Sequence, residues 1–231
     1  MSFKKHDSIE LIDLFNSKPY QGQSPEKASI IFLSSDANYS RKISDDPFFN
    51  YILEYQEDGV SFWKKHGRHH PFLLEEYPFN RSKDGVPYHR NFSKIGFNAS
   101  YSDKVCFLEL LDIPTIGNKS ENRNLFYNLT SLPHLKYIDN LITGGGNKLF
   151  YIPVGVLNDM MHLKKKYNIF TWLSLEKTEE KPFSKTIHGN KVQQMYHFSS
   201  SQIHGQVGEI HLTANNWLEQ KEAQSKTEEP R

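Results

Sequence analysis

Short apolar runs alternate with amphipathic stretches along this chain, and that rhythm narrows the fold more than any other feature of the sequence. Ala28-Ser-Ile-Ile-Phe-Leu-Ser34, Lys104-Val-Cys-Phe-Leu-Glu-Leu-Leu111 and Lys148-Leu-Phe-Tyr-Ile152 are too short for buried helices and read as buried strands. Gln193-Gln-Met-Tyr-His197 reads as a fourth strand with blurred edges. Helical patterns fill the intervals: Ser8 to Phe15, Pro47 through Trp63, Tyr88 to Ile95, Glu121 to about Leu141, Val156 to Lys166 and Gly208 to Gln220. Strands alternating with helices predict an α/β protein, a three-layer α/β/α sandwich around a central, mostly parallel four-stranded sheet. Pro114 is expected to break the second strand, and Gly144-Gly145-Gly146 to end the helical stretch before the third. Residues 1–220 are expected to form one domain and 221–231, polar and charged, a disordered tail; residues 167–191 give no clear reading.

Composition mainly excludes. A single cysteine, Cys106, rules out an internal disulfide and a four-cysteine metal or cluster site, and its apolar setting predicts a buried thiol. No stretch approaches the ~20 apolar residues of a membrane span, and the first residues lack a secretory pattern, so a cytoplasmic address and no membrane partner are expected. The formal charge of +1 carries no nucleic-acid signature, leaving two local patches, Lys64 to His70 and Lys164 to Lys166, which can equally be solvated faces. The histidine spacings do not match a zinc hydrolase, so neither metal nor cofactor is expected. Gly144-Gly-Gly-Asn-Lys148 lacks the ending of a phosphate loop, and no Gly-x-Ser-x-Gly elbow is present.

Ligands of open α/β sheets bind beyond the carboxyl ends of the strands. The turns after the first and last strands are therefore the informative places: Ser35-Asp36-Ala37-Asn38-Tyr39 and His197-Phe198-Ser199-Ser200-Ser201-Gln202. Taken singly, Asp36 reads equally as a turn residue and His197 as a structural histidine. As a pair they resemble the Gly-Gln-Asp-Pro-Tyr and His-Pro-Ser-Pro-Leu-Ser motifs of the uracil-DNA glycosylase superfamily. Further segments agree in order. Gly59-Val-Ser-Phe62 is similar to the family's Gly-Leu-Ala-Phe-Ser, Leu108-Glu-Leu-Leu-Asp-Ile-Pro-Thr115 to Leu-Asn-Thr-Val-Leu-Thr, and Leu149-Phe-Tyr-Ile-Pro-Val-Gly155 to Phe-Leu-Leu-Trp-Gly. Ile210-His-Leu-Thr-Ala-Asn-Asn-Trp-Leu-Glu-Gln220 resembles the family's closing helix.

The resemblance implies a uracil-DNA glycosylase-like fold and a monofunctional hydrolase that cuts the bond between a base and its deoxyribose. It implies Asp36 as the carboxylate facing the cationic sugar and orienting water, with Asn38 as the alternative, and His197 as the donor to the leaving base. Such a reaction develops an oxocarbenium-like sugar and an anionic base, so one fixed negative group and one donor suit its transition state. The resemblance also implies Glu109 and Tyr39 at the base and Phe62 as its stacking partner, although Phe62 reads equally as core. The family's wedge leucine falls at Ser201, which leaves Gln202 or Ile203 as the plug for a flipped nucleotide. Ser199, Ser200 and Ser201 are expected at phosphate, with His89 and Arg90 near the first turn.

Two departures bear on substrate. Uracil-excising members carry Asn where Glu109 stands; an ionised carboxylate cannot donate to O4 of uracil but accepts from N4 of cytosine. The tyrosine that bars C5 substituents is displaced to Tyr39. The expected substrate is a non-standard base in DNA, a hydroxymethylated or glycosylated cytosine of phage DNA, with a defence role. A uracil or damaged-base repair glycosylase and a non-catalytic DNA-binding module are the alternatives, and a monomer is expected. No active-site lysine for a Schiff base is evident.

Overall fold

The computed structural model describes residues 2–174 and 183–228. Its strands are β1 (Lys4–Lys5), β2 (Tyr20–Gly22), β3 (Ile30–Ser34), β4 (Ala37–Asn38), β5 (Val105–Glu109), β6 (Pro114–Ile116), β7 (Leu149–Pro153), β8 (Ser184–Ile187) and β9 (Asn190–Met195). Its helices are α1 (Ile9–Ser17), α2 (Phe49–Glu57), α3 (Gly59–His66), α4 (Val86–Phe92), α5 (Arg123–Leu129), α6 (Leu132–Thr143), α7 (Val154–Tyr167) and α8 (Val207–Glu228). No helix among the described residues is long and apolar enough to cross a membrane.

The protein is α/β, with helices on both faces of the main sheet. That sheet has six strands in the order β2-β5-β3-β7-β9-β8, not the four expected. The four inner strands run parallel, and β2 and β8 are antiparallel edges. The edges escaped the sequence reading because Tyr-Gln-Gly and Ser-Lys-Thr-Ile carry no apolar run. β8 lies inside the segment that had no reading.

Both faces of β3, β5 and β7 are buried, which explains their largely apolar sequences. Ile31, Leu33, Cys106, Leu108, Phe150 and Ile152 face one way, against Leu135, Ile138 and Ile142 of α6 and Leu157, Met160 and Leu163 of α7. Ile30, Phe32, Val105, Phe107, Leu149 and Tyr151 face the other way, against Trp63, Tyr88, Phe92, Ile210 and Ala214. Helices α3 and α4, between β3 and β5, thus pack on one face, whereas α6 and α7 pack on the other. Chains leaving β3 and β7 diverge to opposite faces, which opens a crevice at the carboxyl ends of the inner strands.

Several expected elements differ: the stretch from Glu121 to about Leu141 is two helices, α5 and α6, and the strand expected from Gln193 to His197 runs from Asn190 to Met195. The helix from Pro47 through Trp63 is two helices, because Asp58 turns out of helical geometry and its carboxylate caps the Val60 and Ser61 amides at 3.0 and 2.9 Å. Pro114 does not merely break a strand: it opens β6, which pairs with β1 and β4 in a separate three-stranded sheet. The expected tail does not begin at 221, since α8 continues to Glu228 and Lys221 donates to Ser29 Oγ at 3.0 Å. Residues 229–231 of that tail lie outside the described residues.

α3 starts hard against the edge strand. A Cβ on Gly59 would stand 2.8 Å from Gly22 Cα and 2.9 Å from Gly22 N, both backbone atoms. Gly59→Ala is therefore expected to destabilise the fold by about 1–3 kcal/mol through overpacking, read as a lower urea midpoint at unchanged m-value.

Candidate active site

Three strand ends and the small sheet supply the site. Ser34 and Glu109 are register partners at the ends of β3 and β5, and β9 ends two residues before His197. Beyond β3 the chain turns into β4, which pairs with β6 so that Asn38 lies opposite Thr115. That pairing fixes the Asp36 side chain. Thr115 Oγ1 donates to Asp36 Oδ2 at 2.5 Å and accepts from Asn38 Nδ2 at 3.3 Å, while Asn38 Nδ2 also donates to the Gly117 carbonyl at 2.6 Å. Asn38 Oδ1 has no donor among the described residues. Burial pushes the Asp36 carboxyl above its ordinary range, and the Thr115 hydroxyl and the nearby Lys119 ammonium act against that.

His197 is held from two sides. The Ser199 amide donates to its Nδ1 at 3.1 Å, and Asn91 of α4 donates to the next carbonyl, Phe198 O, at 2.5 Å. An Nδ1 that accepts leaves the ring proton on Nε2. Burial, then the positive charge of Lys119, lowers the imidazole to about 4. At neutral pH it is an uncharged N–H donor.

Asp36, Asn38, Tyr39, Glu109, His197 and Ser199 all line one cleft of about 1300 Å³. The volume exceeds the ~300–1,000 Å³ of common small-ligand pockets. The acid and the imidazole, 161 positions apart in the sequence (197 minus 36), thus face a common space. Glu109 is 5% exposed, and its Oε2 has no hydrogen-bond partner. Ser34 Oγ reaches its other oxygen only at 3.5 Å. Burial and the negative charge of Asp36 push the Glu109 carboxyl up to about 8. Most of it is therefore protonated at pH 7, which removes the premise that this side chain cannot donate.

No family model, curated protein or solved structure matches the chain.

Several expected residues lie elsewhere. Phe62 is core, 1% exposed and packed on Tyr55 and His66, because α3 turns that side toward α2; it does not reach the cleft. Ile203 is fully buried beneath the last turn and cannot act as a plug, whereas Ser201 and Gln202 are exposed on that turn. Ser200 Oγ accepts from the Gln202 amide at 3.3 Å, so its hydroxyl caps the turn. His89 does line the cleft, but it is buried and not a surface contact. It stacks on His70 at 3.7 Å and pairs with His69 Nε2 through Nδ1 at 3.2 Å, so the basic patch expected from Lys64 to His70 ends in two buried, neutral imidazoles. Arg90 is exposed but does not line the cleft.

The sequence reading missed Thr115, Lys119 and the buried polar wall. Lys119 Nζ bonds Ser35 Oγ and the Asp159 carboxylate, which also accepts from Tyr127 OH at 3.0 Å. A lysine does therefore stand in the cleft, held as a fixed positive charge by a carboxylate that is 1% exposed. Nothing in Gly117-Asn118-Lys119 marked it in advance, since the partners come from β3 and α7. The polar wall was equally hidden. His70 Nε2, Gln21 Oε1 and Tyr88 OH, all on cleft-lining residues, are buried without partners, a condition that costs roughly 1–3 kcal/mol per group when nothing fills it.

Proposed function

We propose that this protein is a DNA glycosylase that hydrolyses the N-glycosidic bond of a non-standard base, a C5-modified cytosine of the hydroxymethylated or glycosylated kind found in phage DNA, in a defence role. The observation that carries the reading is that the Asp36 carboxyl and a neutral His197 imidazole face one cleft. As the bond from C1′ to the base lengthens, the sugar becomes cationic and the base takes the electron pair. The Asp36 carboxylate answers the first charge. The neutral His197 Nε2–H donates to O2 of the base, the exocyclic oxygen that carries the second, without itself having to be protonated. A water accepted by Asp36 and Asn38 Oδ1 adds to C1′, losing its proton as the base acquires one. Lys119, tied to Asp159, serves no covalent role here, so the product is an abasic site and strand cleavage is left to another enzyme.

Glu109 as a neutral acid presents O–H beside C=O. It can donate to N3 and accept from N4–H of cytosine, or donate to O4 and accept from N3–H of uracil. This observation supports uracil or a damaged 4-oxo pyrimidine as the second reading, leaving the base to be chosen by the remaining walls of the cleft. DNA meets the site through the exposed Ser199, Ser201 and Gln202.

Incubation with duplexes carrying uracil, cytosine, 5-hydroxymethylcytosine or its glucosylated form, followed by mass spectrometry of free bases, tests the proposal. Release of a modified cytosine is expected. Preferential release of uracil selects the second reading, and release of nothing from any duplex overturns the glycosylase.

A further inference from the structure

The wall of the cleft holds more hydrogen-bonding capacity than a cytosine ring can use. Taking the glycosylase reading, on which this inference rests, His197 Nε2–H pairs with O2 of the base and Glu109 with N3 and N4. Positions 5 and 6 of unmodified cytosine carry only hydrogen. Yet three further buried polar atoms stand without partners on residues lining the same cleft: His70 Nε2, Gln21 Oε1 and Tyr88 OH.

Their chemistry is fixed by their other bonds. The Phe72 amide donates to His70 Nδ1 at 3.2 Å, which puts the ring proton on Nε2 and makes that atom a donor. Gln21 gives its Nε2 to Tyr39 OH at 3.2 Å, leaving Oε1 as an acceptor. The Tyr88 hydroxyl can do either, and its ring lies 5.4 Å from that of His197 and 5.1 Å from that of His89. His70 cannot turn away, being stacked on His89 and packed edge-on against Tyr55 and Phe72. All three side chains are at least nine-tenths buried, so bulk water does not satisfy them.

We propose that His70, Gln21 and Tyr88 form a receptor for a hydroxyl-bearing substituent on the excised base. A hydroxyl both donates and accepts, so one such group matches a fixed donor and a fixed acceptor together. A methyl group matches neither. An anionic substituent is disfavoured, because the wall offers neutral histidines and a neutral glutamic acid and carries no cation of its own. Of the cations that line the cleft, Lys119 is already paired with Asp159, and Arg41, Lys42 and Lys83 are exposed rather than part of the buried wall.

The test compares excision of 5-hydroxymethylcytosine and 5-methylcytosine from otherwise identical duplexes. The wild-type protein is expected to prefer the hydroxylated base by about tenfold to a hundredfold, because a site built around a hydroxyl leaves buried groups unpaired when it is missing. His70→Phe is expected to bring the ratio toward one. Tyr88→Phe, which removes only an oxygen and keeps the ring packing, should lower it about threefold to tenfold even if His70→Phe fails to fold. Equal rates on the two bases in the wild-type protein overturn the receptor. If no duplex yields a base, the glycosylase reading fails by itself. The receptor is then tested by thermal shift with 5-hydroxymethyl-2′-deoxycytidine against 5-methyl-2′-deoxycytidine, and equal shifts overturn it.

Discussion

Asp36→Asn is expected to lower base release by about 10²–10³-fold while leaving the protein at least as stable as the parent. The activity loss follows from removing a preorganised charge opposite a developing cation, worth about 2.7–4 kcal/mol when one such group is deleted. The stability follows from burial, which already raises this carboxyl and so opposes its ionised form in the fold. A carboxylate kept where burial disfavours it is one that serves chemistry at the expense of stability. His197→Ala should lose a similar factor, and the double variant much less than the product of the two, because both act on one transition state. Rates of each single variant within threefold of the parent, with its unfolding midpoint unchanged, would exclude these two residues as the catalytic pair.

The second large effect concerns Glu109 and pH. With its carboxyl pushed up to about 8, the parent should lose activity as pH rises through that value, because the deprotonated acid can no longer donate to the base. Glu109→Gln presents a donor beside an acceptor at every pH, so it should stay active and show no descending limb near 8. Stability carries the same signature. The folded state holds this proton from the ordinary value of 4.5 up to about 8, whereas the unfolded chain releases it near 4.5. Stability from this group is complete below 4.5 and declines as pH rises to about 8, by at most about 5 kcal/mol at 1.36 kcal/mol per unit. Denaturant titrations at pH 5 and pH 8 should show that decline in the parent and little of it in Glu109→Gln. An identical decline in both proteins would place the raised carboxyl elsewhere.

Phe62 matched a motif by order, but α3 begins at Gly59, capped by Asp58, and that boundary turns the ring toward Tyr55 and His66. His89 matched by proximity to the first turn, but α4 carries it inward to stack on His70. Both errors assume that a segment keeps its orientation when its neighbours change. Whether the Glu109 carboxyl is ionised is set by burial and by Asp36, neither of which is encoded at position 109 itself.

Local pattern alone determined the alternation of strand and helix, the buried character of the inner strands, and the two turns in which Asp36 and His197 stand. These are properties of periodicity over a few residues, and a strand buried on both faces declares itself by an unbroken apolar run. Tertiary structure decided which polar groups meet and in what charge state. Thr115 reaches Asp36 across 79 positions and Asn91 anchors the His197 loop across 107, through pairings of β4 with β6 and packing of α4 on the sheet. No local rule specifies contacts at that range. They arise because closing the two apolar faces of the sheet forces the strand ends together, and the same closure removes the water that would otherwise keep Glu109 ionised.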